Sequence, residues 1–424
     1  MRVVYFCLLA FVAMPIIAAE TTIIVDAEQV WSRNASQIGN LSARIELADS
    51  VTQNTAFTMI VRAQAFSSDQ HYPGQPDQAE LSPVSRRIYV DSFVELELRE
   101  FYFDTGFEKA NLRLGKQQVV WGQADGLKLL DVVNPQDFSL FILDDFDESR
   151  IPIWMLNLEL FLPVGDLQIL WIPDTSTHSL ASTGATFEMT APFAGIPADL
   201  PYSIEPVDRP NNFIFDSDFG TRLSLFTGGW DITLNYLYHY DDFPVVRRQL
   251  VANELILSPA YERTHTIGAS ASNAFGDFIF RSEFVFNTNK YINTNSLLND
   301  GIDDSAELAY VFGIDWTGLT DTFVSMQLFQ SILLDDGDYV RDRTDTTLTL
   351  LLRRSFMNEV LKLELLAIHH QNEGDNLFRL SADYEMTSNT SIGVFGDFFD
   401  GEPNELFGQF NHMDRIGFKI TVGI

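Results

Sequence analysis

The sequence predicts an all-β chain, a transmembrane antiparallel up-and-down β-barrel of about 18 strands, with about 16 as the alternative. Three observations predict it. Hydrophobic residues make up 46% of the chain and aromatics 13%, yet beyond the N-terminus there is no apolar run long enough for a membrane-spanning helix. Strand-like segments alternate apolar and polar side chains over roughly ten residues. The connections between these segments alternate short and long, as the periplasmic turns and outer loops of a barrel do.

The alternation is read directly. Phe278, Phe280, Phe284 and Phe286 share one face and Arg281 and Glu283 the other. Ile232, Leu234, Tyr236, Tyr238 and Tyr240 oppose Asp231, Thr233, Asn235 and His239, and Leu361, Leu363 and Leu365 oppose Lys362 and Glu364. A soluble sandwich shows the same period, with its apolar face as the core. Strand length favours the membrane reading, as do aromatic residues near strand ends (Trp31, Trp154, Trp171, Trp230, Tyr238, Tyr240 and Trp316), which match interfacial girdles.

Both ends of the chain agree with export. Met1-Arg2, the apolar stretch Val3–Ile17 and the small pair Ala18-Ala19 have the layout of a cleaved signal peptide, residues 1–19. Residues 20–424 are then one barrel domain. Cys7 is the only cysteine and falls within that segment, so no disulfide is expected. Residues 415–424 place Ile416, Phe418, Ile420, Val422 and Ile424 on one face, and Arg415, Gly417, Lys419, Thr421 and Gly423 on the other. A final amphipathic strand of this kind resembles the segment by which outer-membrane proteins engage the barrel-assembly machinery, although it ends in Ile rather than the usual Phe.

Strands are expected near 40–48, 56–66, 87–103, 110–120, 152–162, 165–172, 218–227, 230–240, 262–272, 276–287, 306–316, 321–333, 343–355, 358–370, 376–386, 389–399 and 412–424. Their number is odd, and a closed antiparallel barrel needs an even one, so Thr22–Trp31 is added as the first strand. At this size side chains do not fill the interior.

Two long loops stand out. Residues 121–151 are rich in Leu, Val and Phe and are expected to fold into the barrel mouth as a constriction, with packing across the rim or on a neighbouring subunit as the alternative. Asn134-Pro135 reads as a helix start, with Asp137 suited to the helix dipole. The constriction candidates are Trp121, Asp125, Lys128, Asp131, Asp137, Asp144 and Asp145. Residues 173–217, with six prolines, are expected to cap or line the entrance, while the apolar stretch Phe187–Ile204 offers a hydrophobic ligand site instead. The lumen-wall candidates, taken from the polar faces, are Asp91, Glu95, Glu97, Arg99, Arg113, Glu159, Arg222, Asp231, Arg281, Glu283, Arg353, Lys362, Glu364 and Lys419. Facing charges of this kind set ion preference, or simply satisfy one another in a wet interior.

The net charge of −32 argues against nucleic acid and favours concentrating cations at the mouth. Acidic loop residues, such as Asp241-Asp242, Asp303-Asp304 and Asp335-Asp336, are read as a solvated surface facing lipopolysaccharide, with calcium binding as the alternative.

Leu114-Gly115-Lys116-Gln117, running on to Trp121-Gly122 and then Asn134-Pro135, resembles a Gram-negative outer-membrane family of unknown function within the wider porin group that includes alginate-export channels. The likeness covers residues 112–151. It implies a barrel and passage of polymeric or hydrophobic compounds, and carries no catalytic assignment.

The expected function is a porin-like channel for passive passage of small or elongated solutes, with a preference for cations. No enzyme is expected: Gly-x-Ser-x-Gly, Walker, dinucleotide-binding and His-Glu-x-x-His motifs are all absent, and none of His71, His178, His239, His265, His369, His370 and His412 sits in a nucleophile motif. No cofactor is implied. A lipid-acting barrel hydrolase and an adhesive or structural barrel are the alternatives. The expected partners are outer-membrane lipid and lipopolysaccharide, with a homo-oligomer also open.

Overall fold

Strands that are apolar on one face and polar on the other can close on themselves with either face outward, and this chain puts the apolar face outside. A computed structural model describes residues 20–32, 38–68, 70, 73–74, 76–189 and 201–424; the expected signal peptide, 1–19, lies outside the described residues. The wall consists of β1 (Glu20–Ser32), β2 (Ile38–Ser50), β3 (Thr55–Phe66), β4 (Val94–Phe107), β5 (Ala110–Gln117), β6 (Ile153–Leu162), β7 (Gly165–Ile172), β8 (Asp218–Thr227), β9 (Trp230–Tyr240), β10 (Arg263–Phe275), β11 (Phe278–Asn293), β12 (Ile302–Trp316), β13 (Thr322–Leu333), β14 (Thr344–Phe356), β15 (Leu361–His370), β16 (Asp375–Thr387), β17 (Thr390–Asp400) and β18 (Arg415–Gly423). Each wall strand pairs antiparallel with its chain neighbours. β1 closes on β18, with Ile24 opposite Gly423 and Trp31 opposite Ile416. The count is 18 rather than 16, and Thr22–Trp31 is indeed a wall strand.

Exposure separates the faces. Leu98, Leu234, Tyr236, Phe280, Phe284, Phe312, Leu350 and Leu352 point outward and are exposed, while Glu97, Thr233, Asn235, Glu283 and Asp315 point inward and are buried. That inverts the usual soluble arrangement and suits a wall bathed in hydrocarbon. The aromatic residues form two levels. Trp31, Trp154, Trp171, Tyr238 and Tyr240 lie towards the end that carries the long loops, and Trp230 and Trp316 towards the end that carries the tight turns.

Some segments depart from expectation for local reasons. The strand expected over 87–103 is two pieces. Ile88–Asp91 is a short separate strand, folded back on β4 through a turn in which Phe93 N donates to Asp91 Oδ1 (2.8 Å). The expected loop 241–261 contains a hairpin, Val245–Val251 with Glu254–Ala260, whose turn residues Ala252 and Asn253 both have positive φ (49° and 72°). Two such residues in succession suit the right-handed twist of the flanking strands. Tyr202–Ile204 adds to this hairpin in parallel. β11 runs past its expected end to Asn293, through a bulge between Asn287 and Lys290.

Candidate functional site: the lumen and its inward loop

Residues 118–152 leave the wall after β5 and cross the interior. Their partners show this, because they come from strands all around the ring. Val120 O accepts from Arg222 Nη1 on β8 (3.0 Å), and Leu130 N donates to Glu283 Oε2 on β11 (3.0 Å). Asp125 N donates to Gln327 Oε1 on β13 (3.1 Å), and Leu143 O accepts from Arg379 Nη2 on β16 (2.6 Å). Glu148 pairs with Arg44 on β2 and Arg62 on β3 (3.3 and 2.8 Å). A segment bonded to so many sides of a closed ring lies within it.

The conspicuous sequence stretch at 114–135 is the anchor of this loop. Gly115 has φ +140°, and a Cβ there would collide with Phe101 O, so only glycine fits beside β4. Gln117 is fully buried, its Nε2 donating to Gly115 O and Met155 O (both 3.3 Å). Lys116 points outward but is covered, its Nζ donating to Leu98 O (2.8 Å) and Ser85 O (3.4 Å). Trp121 is buried among Leu130, Val133, Met155, Leu170 and Leu237, and its Nε1 donates to Gln168 Oε1 on β7 (2.8 Å).

Asn134 closes the loop's neck. Its Oδ1 accepts from Val119 N (2.8 Å), while its Nδ2 donates to Gln117 O (3.2 Å) and Ile151 O (3.0 Å). The helix expected to start at Asn134-Pro135 is therefore absent. The amide that would cap it is consumed by three long-range bonds, and tertiary pairing overrides the local signal. Asp137 likewise meets no helix dipole. It forms a bridge with Ser179 and pairs with Arg87, which holds its buried carboxyl down at about 2 despite the opposing effect of burial. The helical turn in this loop is Phe146–Ser149.

The remaining loop candidates fall at distinct places. Asp125 pairs with Arg281 of β11, which also meets Asp315 (2.8 Å). Asp131 pairs with Arg150 (2.6 Å), within the loop. Lys128 Nζ donates to Ser149 Oγ (2.9 Å) and Phe146 O (3.1 Å), and burial pulls its ammonium down to about 8. Asp144 and Asp145 lie at the tip, Asp144 half-buried and Asp145 exposed. Burial pushes the Asp144 carboxyl up to about 6, and the charge of Asp137 acts in the same direction. Asp145 also lies within electrostatic range of Asp383 on β16 and Lys419 on β18, so the tip faces that stretch of wall.

The wall candidates share the inward face with one exception. Arg113 meets Asp104 (2.8 Å), Arg353 meets Glu364 (2.5 Å), Lys362 meets Glu385 (2.8 Å) and Lys419 meets Asp26 (3.6 Å). Glu97 pairs with Arg62 (2.6 Å) and with Arg99 (3.6 Å), and Glu95 lies 3.8 Å from Arg87. Glu159 and Asp231 stand opposite Asn111 and Phe226 in the β5–β6 and β8–β9 ladders. Asp91 is the exception: it sits in the outer turn beside Phe93, outside the wall.

Sequence reasoning missed Glu148, Arg44 and Arg62, which form an ion-paired link between tip and wall. Both arginines sit on the polar faces of expected strands, and that signal was available.

The long loop 173–217 splits. Its first part packs against the inward loop: Gln136 N donates to His178 Nδ1 (2.8 Å), and burial pulls that imidazole down to about 3, so it is a neutral acceptor. Phe187, part of the expected ligand stretch, is packed on Phe399 and Phe410 instead, and 190–200 falls outside the described residues. His239, His265, His369 and His370 bond Thr266, Tyr236, Asn376 and Asp345, none of them a serine. Among the described residues no three His, Cys, Asp or Glu side chains converge as a metal site would need.

A closed 18-stranded barrel with a loop folded into its lumen is the architecture of porins. Acinetobacter baumannii OccAB3 has a similar fold, with a TM-score of 0.55 at 10% identity, matching 96% of this chain and 98% of that one. A loop-deleted OmpT, an outer membrane protein of Vibrio cholerae, matches more loosely at 0.43 and 8% identity, over 96% and 99% of the two chains. A Rh. blastica porin mutant does so at 0.42 and 10%, over 96% and 100%. None of the curated proteins matches the chain in sequence. Residues 47–352 match the model of the family described as "Protein of unknown function (DUF1302)", and the chain belongs to that family.

Proposed function

We propose that this protein is a porin-like channel of a Gram-negative outer membrane that passes small or elongated solutes and favours cations. The observation that carries the reading is the loop 118–152, which crosses a closed barrel and presents an acidic tip to the opposite wall. The open interior stays lined with charge, since Arg353, Lys362 and Lys419 remain substantially exposed beside Glu364, Glu385 and Asp26. The tip places Asp144, Asp145 and Asp147 in one run, with Asp147 paired to Arg150 yet exposed and Glu148 committed to Arg44 and Arg62, so a solute passing between tip and wall meets negative charge first.

The same reading takes residues 1–19 as a cleaved signal and residues 121–151 as the constriction. It gives the outward row of β18 to the barrel-assembly machinery and the acidic loops to lipopolysaccharide. It assigns no catalytic step. Planar-bilayer recording of refolded protein in a salt gradient tests it. Step conductances with a cation-selective reversal potential are expected, weakened in Asp145→Lys. Silent bilayers from folded protein would reject the channel.

A further inference from the structure

On the outward face of β14–β18 only one position carries a basic side chain. Along β14 the outward positions read Leu348, Leu350, Leu352, Arg354 and Phe356, and the register carries Arg354 across to Leu363, Ala382 and Val394 on the next strands. Arg354 is the single Lys or Arg on the outward face of these five strands; Arg353, Lys362, Arg379, Arg415 and Lys419 all face the lumen. An outward guanidinium beside hydrocarbon is unfavourable without an anionic partner, and its cost falls only near an interface. Arg354 lies two residues from the strand end, with its guanidinium carbon 5.0 Å from the centre of the Phe356 ring, so its head leans toward the turn-end interface.

Beside it runs a groove of about 580 Å³ lined by Leu352, Leu363, Leu380, Val394, Phe398 and Ile416. Two small residues thin the bulky wall here, Ala382 left open and Gly396 overlaid by the Phe398 ring. Ala382 follows Leu363 in one row, and Gly396 follows Leu380 in the next. We propose that this groove and Arg354 together bind an anionic glycerophospholipid of the turn-side leaflet, with an acyl chain along Ala382 between Leu363 and Val394 and the phosphate on the Arg354 guanidinium. Charge complementarity selects this occupant: a second copy of the chain would need an acidic outward residue at this level, and these strands offer none there. The inference rests on the membrane reading given under Proposed function.

The test uses full-length mature protein in nanodiscs of mixed phosphatidylglycerol and phosphatidylcholine, released for native mass spectrometry. Wild-type protein is expected to retain phosphatidylglycerol several-fold over phosphatidylcholine, and Arg354→Gln to retain the two equally. Ala382→Phe, which fills the groove from the lipid side, is expected to lower total lipid retention while keeping the headgroup preference. Equal retention by wild type, an unchanged preference in Arg354→Gln, or dimers that release no lipid would each overturn the proposal. Failure to insert into nanodiscs at all would reject the membrane reading itself, so the two failures are distinguishable.

Discussion

Glu148 at the loop tip meets Arg62 on β3 at 2.8 Å, and the same carboxylate reaches Arg44 on β2 at 3.3 Å. Arg44 and Arg62 are directly opposite one another in the β2–β3 ladder, where like charges repel. Glu148 resolves that repulsion. Burial alone would raise its carboxyl, but Arg99, Arg62 and Arg44 outweigh burial and hold it below the usual range. Glu148→Gln should therefore remove negative charge from the tip, leave two arginines without their shared counter-ion, and loosen the tip. The expected outcome is a reversal potential shifted toward anions with more frequent sub-conductance events. A recording indistinguishable from wild type would show that the tip is held by other contacts.

Gly268 on β10 forms the seat of the inward loop. A Cβ at that position would collide with Leu130 Cδ1, and Leu130 is fully buried against Val285 and Leu237. Gly268→Val should lift Leu130 off the wall without disturbing the outward face of the strand. The expected result is a larger single-channel conductance from a barrel that still migrates as folded on unheated gels. Unchanged conductance would place the narrowest passage elsewhere.

Asn134 offers a stability test. Replacing it by Ala orphans Val119 N and leaves the carbonyls of Gln117 and Ile151 with fewer donors, in a neck closed to water. Each buried polar group left unsatisfied costs about 1–3 kcal/mol, so the loop neck should open well before the wall does. Protease should cut Asn134→Ala near residues 118–150 while the barrel remains intact. Cleavage no faster than in wild type would mean that the neck does not depend on this side chain.

The wall was legible in the sequence because its code is local. Alternation at period two names the faces, and the even-number rule supplied β1 before any tertiary information. Asp91 was misplaced because Ile88–Asp91 also alternates, and only the turn at Phe93 shows that it lies outside the wall. The loop was harder. Asn134-Pro135-x-Asp is a sound capping pattern, but its donors and acceptors meet partners many residues away, which no local rule registers. Glu148 was passed over for the same reason: its significance lies in Arg44 and Arg62, roughly a hundred residues upstream.

Asp144 makes the tip sensitive to pH. Its carboxyl is pushed up to about 6, first by burial and then by Asp137, against the pull of Arg62 and Arg415. A carboxyl raised in the folded state favours the folded loop when protonated. That contribution is complete at pH values below the ordinary Asp range and is lost as pH rises through about 6. The charge runs the other way, since above about 6 the tip carries one more negative charge than below it. Cation preference should therefore fall as pH is lowered from about 7.5 to about 5, while the loop becomes harder to cleave. Asp144→Asn should hold the low-pH behaviour at both values. If reversal potentials of the variant shift with pH as much as those of wild type, another group controls the tip.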